Sequence, residues 1–264
     1  KQEQQTRGAE KIFEAQSGKE EALREKIQEI RWKRMGKIVS FSNQKGGVGK
    51  TTTCVNMAAY IAASGKRVLL IDMDPQGNAT TGMGFSKSTL KKSVYNVLID
   101  DEKASDNILK TELEGMDILP SNIDLAGAEV ELVYKRSREK VLKNALAEVR
   151  DNYDYIFIDC PPSLGLLTIN ALAAADSVII PIQSEYYALE GLSQLMNSIT
   201  LVKQHLNPAL NVDGVVLTMY DSRSLISKQI ADALARQTRN DRRDLPTFGR
   251  SRRKRLCAKV CGRA

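Results

Sequence analysis

Residues 43–53 read Asn-Gln-Lys-Gly-Gly-Val-Gly-Lys-Thr-Thr-Thr, and this stretch decides the fold. It lies between a short apolar run, Lys37–Ser42 (KIVSFS), and a helix-favouring run, Thr51–Ser64, with small residues at close-packing positions. A strand, a glycine-rich loop and a helix that opens with Lys-Thr-Thr is an arrangement that binds phosphates. Gly46, Gly47 and Gly49 let the backbone curl so that successive N–H groups aim inward at an anion. The helix N-terminus adds its partial positive charge. Lys50 is the candidate contact for β- and γ-phosphate oxygens, and the Thr51 hydroxyl is the candidate ligand for Mg²⁺. Val48 and Thr52 complete the candidate nucleotide-binding set.

The pattern continues outward from this loop. Apolar strands without alternation are expected at Arg67–Asp72 (RVLLID), Met116–Leu119, Tyr155–Asp159 (YIFID), Ser177–Pro181 and Val212–Thr218. Helical periodicity is expected at Val94–Ile99, Asp124–Tyr134, Glu139–Arg150, Leu166–Ala174, Leu189–His205 and Leu225–Thr238. The segment MDPQGNATTGMG after the second strand is expected to be a loop. Continuous apolar strands separated by helices indicate a parallel sheet buried on both faces. The expected class is α/β, a P-loop three-layer fold with a mostly parallel central sheet flanked by helices.

The loop departs from the ordinary Walker A pattern, which requires Gly at position 44. Here Gln44 occupies that position, and a second lysine, Lys45, precedes the glycine pair. This deviant form resembles the family of ParA and Soj partition ATPases, MinD and the nitrogenase iron protein. The segments KRVLLIDMDPQGNATTGMG (66–84), LPSNIDLAGAEVEL (119–132), YIFIDCPPSLGLLTINAL (155–172) and PIQSEYYALEG (181–191) narrow the resemblance to the Soj-like ParA branch. It covers about residues 35–235. The resemblance implies an ATP hydrolase that uses ATP and Mg²⁺ and forms a nucleotide-sandwich homodimer in the ATP state. In such a dimer Lys45 would reach the partner's phosphates, where two facing triphosphates need extra positive charge.

Two carboxylates carry the expected chemistry. Asp74 follows the second strand, and Asp159 ends a hydrophobic strand before Pro161-Pro162, both at strand C-termini where parallel sheets bind ligands. Asp159 is the candidate to hold Mg²⁺ through water. The resemblance assigns positioning of the attacking water to Asp74, with Asp72 as a supporting carboxylate behind it. Phosphoryl transfer needs positioning and charge more than acid strength. The glycines of the 74–84 segment imply a switch that reorders with the γ-phosphate.

The partner is read from the resemblance rather than from charge. Net charge is +7, but residues 236–264 contribute +9 and residues 1–34 contribute +2, leaving −4 over residues 35–235. In the partition branch the ATP dimer binds nonspecific DNA through phosphates. The TMYDSRS segment places Arg223 at the family's DNA-contacting position, with Lys228 onward from it. A ParB-like centromere-binding protein is the second implied partner, and the implied location is cytoplasmic and nucleoid-associated. MinD-like positioning and a nucleotide-gated DNA-binding regulator are the alternatives. A membrane partner is not expected, because CAKVCGRA has too little apolar face for an anchor. Cys54 and Cys160 do not match the iron protein's cluster-sharing placement, and no Cys/His grouping suggests zinc.

Three segments are expected. Residues 1–34 read as a charged, helix-favouring extension, residues 35–238 as the ATPase domain, and residues 239–264 as a basic, disordered tail. The family continues past this point with a strand, a Pro-Arg-Asn loop and a final helix that border the adenine. This chain reads RNDRRDLPTFGRSRRKRLCAKVCGRA instead, as a reading-frame change near codons 237–240 or a truncated or chimeric sequence would produce. A complete phosphate half and an incomplete base half are therefore expected.

Overall fold

The structure is a computed structural model that describes residues 35–185 and 188–240. The expected extension 1–34 and the tail beyond 240 lie outside the described residues. Gly36 opens the compact unit that carries the sheet.

Seven strands form one sheet: β1 (Lys37–Phe41), β2 (Val68–Asp72), β3 (Leu109–Lys110), β4 (Met116–Leu119), β5 (Tyr155–Asp159), β6 (Ser177–Gln183) and β7 (Asn211–Thr218). Their order is β3-β4-β2-β5-β1-β6-β7. All neighbours run parallel except the short β3, which is antiparallel to β4. That edge was not anticipated, since two residues carry no periodicity. The helices are α1 (Lys50–Ala63), α2 (Asn78–Gly82), α3 (Val94–Leu98), α4 (Ala104–Asn107), α5 (Leu125–Glu131), α6 (Val141–Leu146), α7 (Leu166–Ala174), α8 (Ala188–His205) and α9 (Leu225–Asn240).

The strands read as unbroken apolar runs because both faces are covered. Val39, Phe41, Val68, Leu70 and Phe157 pack with Cys54 and Ala58 of α1 on one face. Ile38, Leu69, Ile71, Ile156 and Ile158 pack on the other with residues of α3 and α5–α8. α7 is apolar nearly all round and buries seven of its nine residues, as a helix inside a layer must.

Several boundaries differ from expectation, each for a local reason. The pattern expected over Glu139–Arg150 gives only Val141–Leu146, because Ser137 adopts a left-handed φ of 51° just upstream and the chain tightens into a 3₁₀ turn at Arg150–Asn152. The pattern over Asp124–Tyr134 splits into α5 and a 3₁₀ turn at Leu132–Tyr134. α9 runs two residues into the segment expected to be tail. The expected loop MDPQGNATTGMG contains helix α2. Asn-Ala-Thr-Thr-Gly is a poor helix former, but the buried Asp72 carboxylate accepts the Thr80 N–H at 2.8 Å and its hydroxyl at 2.7 Å, which holds the turn.

Candidate active site

Parallel pairing brings the C-terminal ends of β1, β2 and β5 together. Phe41 and Asp72 each lie opposite Asp159 in register. The glycine-rich loop therefore leaves β1 directly beside one carboxylate, and the segment carrying Asp74 leaves β2 beside the same one.

The loop is held by contacts distant in sequence. The Asn43 amide donates to the Pro181 carbonyl at 2.7 Å, and its side-chain oxygen accepts the Lys45 N–H at 3.0 Å. Gly47 and Gly49 have φ of 73° and 80°, conformations that disfavour any side chain. Gly46, unlike Gly47 and Gly49, does not have a left-handed φ, and a Cβ there would meet nothing within 4 Å. Val48 is buried, so its side chain anchors the loop from below while its backbone stays in the curl. Gly49 caps α1, with its carbonyl accepting the Thr53 N–H at 2.9 Å and the Thr53 hydroxyl at 2.7 Å.

Lys50 is 7% exposed, and its Nζ folds over the loop to donate to the Lys45 carbonyl at 3.0 Å. Burial lowers its pKa, while the nearby Asp159, Cys160 and Asp74 side chains pull it back up. Lys50 thus sits within the field of both expected carboxylates. Lys45, half exposed, is ion-paired with Glu185, which follows β6. Thr51 is partly buried, and Thr52 is exposed with its carbonyl accepting the Asn56 side chain at 2.7 Å.

Asp159 is fully buried, and neither of its oxygens has a hydrogen-bond partner. Burial pushes its pKa up to about 8, with Asp72 and Asp74 adding to the rise; the nearby Thr51 hydroxyl lowers it without forming a well-aligned bond. An orphaned buried carboxylate beside a threonine hydroxyl suits a bound cation, which would offset its desolvation. Among the described residues no three His, Cys, Asp or Glu side chains converge on a metal position. That suits Mg²⁺, which takes one or two side chains and completes its shell with phosphate and water.

Asp74 is 7% exposed, and its carboxylate accepts the Gln76 N–H at 2.9 Å. Behind it lies a network that the sequence did not reveal. Asp72 accepts both Thr80 groups and the Asp74 N–H at 3.2 Å. The Thr80 hydroxyl accepts the Ser121 N–H at 2.9 Å, and the Ser121 hydroxyl donates to the Asp74 carbonyl at 2.8 Å. Burial raises the Asp72 pKa to about 6, against the Thr80 hydrogen bonds that lower it.

Over 206 residues the chain is 57% identical to the sporulation initiation inhibitor protein Soj of Bacillus subtilis, an alignment spanning 78% of this chain and 81% of that protein. The chain belongs to the ParA/Soj family of partition ATPases. It is also 54% identical to the chromosome partitioning protein ParA of Myxococcus xanthus over 201 residues, 76% of this chain and 71% of that one. Residues 36–212 match an AAA domain family. Among solved structures, cobyrinic acid a,c-diamide synthase from Mycobacterium smegmatis, with bound ADP and magnesium, superposes with a TM-score of 0.75 at 44% identity, covering 82% of this chain and 86% of that one. The ParA/Soj signature thus lies on the strand ends where Lys50, Asp74, Asp72 and Asp159 converge.

Arg223 and Lys228 stand apart from this cluster. The Arg223 side chain is 90% exposed and pairs with Asp221 at 3.1 Å. Lys228 is exposed on α9. Among the described residues no hydrogen bond or ion pair joins either side chain to the phosphate loop. No helix among the described residues is long and apolar enough to cross a membrane.

Proposed function

We propose that this chain is an ATP-dependent partition ATPase that binds ATP with Mg²⁺, dimerises around the nucleotide, binds nonspecific DNA in that state, and releases it on hydrolysis. The observation that carries the catalytic half is the unpartnered Asp159 carboxylate beside Lys50, at the floor of a loop curled through Gly47 and Gly49. Lys50 leaves the Lys45 carbonyl for the β- and γ-phosphates and neutralises charge there. Asp74, held by Ser121 and by the Asp72–Thr80 pair, orients the attacking water. Thr51 and Asp159 are the residues that would hold Mg²⁺, which supplies charge neutralisation on the phosphate oxygens. The phosphate half of the site is built from residues 43–51, 72–74 and 159, and the base half is proposed to be incomplete.

Lys45 is proposed to act across the dimer. Its present partner is Glu185, and both side chains are about two-fifths exposed. Such a pair contributes at most about 1 kcal/mol, so a partner's triphosphate can displace it. Arg223 and Lys228 are proposed to meet DNA phosphates, for which the exposed Asp221–Arg223 pair must open at similarly small cost. A ParB-like protein that stimulates hydrolysis, and a cytoplasmic, nucleoid-associated location, complete the proposal. Identity to Soj exceeds that to the diamide synthase, 57% against 44%, which favours partition over amide chemistry. The test is ATP turnover with and without DNA and a ParB-like protein. DNA-stimulated turnover, further raised by that protein, is the expected result, and turnover indifferent to both would overturn the proposal.

A further inference from the structure

The crest of the phosphate loop is held by a residue that sits 170 positions away in the chain. The Thr218 hydroxyl donates to the Val48 carbonyl at 2.8 Å. Its methyl carbon lies 3.4 Å from where a Cβ on Gly49 would be, so both arms of this side chain bear on one peptide unit, Val48–Gly49. In a trans peptide the C=O and N–H point in opposite directions. Holding the Val48 carbonyl toward β7 therefore turns the Gly49 N–H away from it, into the curl where an anion would sit. Val48 is 1% exposed and Gly49 has a φ of 80°, so this peptide has little freedom except through Thr218.

Thr218 also ends β7, and the next residue is strained. Met219 has a φ of 51°, a left-handed conformation that disfavours a long side chain. Beyond it, Asp221 accepts the Arg223 N–H at 2.9 Å and both ends of its guanidinium at 3.1 Å. Residues 221–223 are thus stapled into a small unit attached to the sheet through the Met219 turn. Met219 is 63% exposed, so no packing holds that turn in place from outside.

We infer that Thr218 is a positioning residue that aims the Gly49 N–H at phosphate and couples the loop's occupancy to the conformation of residues 219–224. An anion drawing on the Gly49 N–H tilts the peptide, changes the pull of its carbonyl on Thr218, and shifts the strained turn that follows. Arg223 is re-aimed as a result. The inference rests on the phosphate loop being a nucleotide site, and it is independent of what Arg223 contacts.

The experiment compares wild type with Thr218→Val, which keeps the shape and removes the hydroxyl, with Thr218→Ala, which removes it without branching, and with Thr218→Ser, which restores it. Amide hydrogen exchange of peptides covering 217–226 is followed with and without ATP and Mg²⁺, beside a fluorescent-nucleotide titration and a melting curve. Wild type and Thr218→Ser should show a nucleotide-dependent exchange change of about threefold or more in 219–224. Thr218→Val and Thr218→Ala should lose that response and bind nucleotide roughly fivefold more weakly, the scale of one ordinary hydrogen bond. A wild type that binds ATP without any change in 219–224 overturns the coupling, as does a full response in either variant lacking the hydroxyl. A wild type that binds no ATP overturns both this inference and the nucleotide reading beneath it.

Discussion

Asp72 accepts two hydrogen bonds from Thr80, one from its N–H at 2.8 Å and one from its hydroxyl at 2.7 Å, and both residues are fully buried. This contact makes a helix of a weak helix sequence and, through Ser121, fixes the Asp74 backbone. Thr80→Val should leave the Ser121 N–H without its acceptor and Asp72 with one donor fewer. The expected cost is about 1–3 kcal/mol of stability, the usual penalty for stranding buried polar groups. Turnover should fall at least about tenfold with nucleotide affinity nearly unchanged, because a misplaced water-orienting group is costly. Urea denaturation and single-turnover hydrolysis check the two halves separately.

The two lysines of the loop should separate binding from assembly. Lys50→Ala removes the buried cation that Asp159 and Asp74 face, and should weaken ATP binding by at least about 100-fold, roughly 3 kcal/mol for a charge-assisted contact. Lys45→Ala breaks only a half-exposed pair with Glu185, so ATP binding should persist while ATP-dependent dimerisation fails. Light scattering with ATP reads the difference; a Lys45→Ala dimer would show that this lysine does not act across the interface.

Asp159→Asn should stabilise the nucleotide-free protein while damaging its function. Burial holds the Asp159 pKa at about 8 and the Asp72 pKa at about 6, both above the ordinary 3.8. The folded state then keeps protons that the unfolded chain has released, so stability should fall as pH rises from about 4 to 8. Replacing the orphaned carboxylate should flatten the upper part of that slope and add about 1–3 kcal/mol at pH 8. For a domain of this size that is a rise in melting temperature of about 2–4 °C per kcal/mol. The same variant should lose the Mg²⁺ dependence of nucleotide binding. An unchanged melting curve at pH 8 would show that Asp159 is compensated in the free protein.

Hydrolysis and DNA release should come apart in a second pair of variants. Asp74→Ala should bind ATP, dimerise and remain on DNA, since the γ-phosphate is never lost. Arg223→Glu should lose DNA affinity and flatten its dependence on salt, because each phosphate contact removed lowers the slope by about one unit. Fluorescence anisotropy across a salt series measures both. Unchanged affinity and slope in Arg223→Glu would move the DNA surface elsewhere.

The sequence by itself determined the order of the six longer strands and of the longer helices between them, the glycine-rich loop and the carboxylates at strand ends, because each is written in a short window. Apolar runs of five residues, a glycine-rich curl before Lys-Thr-Thr and an aspartate closing YIFID are local patterns with local physical causes. Gly46 shows the limit even there, since only the backbone reveals that Gly47 and Gly49, and not Gly46, take left-handed conformations. The tertiary structure alone decided which distant groups hold the site: Ser121 on the Asp74 carbonyl, Glu185 on Lys45, and Thr218 on the Val48 carbonyl. These partners lie 47, 140 and 170 positions apart, and no residue between them announces the pairing. Helix α2 belongs with them, because the donors that hold it meet a carboxylate buried only once β2 is inside the sheet. Periodicity and turn chemistry act over a few residues, whereas hydrogen bonds across the sheet's C-terminal edge exist only after the strands have been placed side by side.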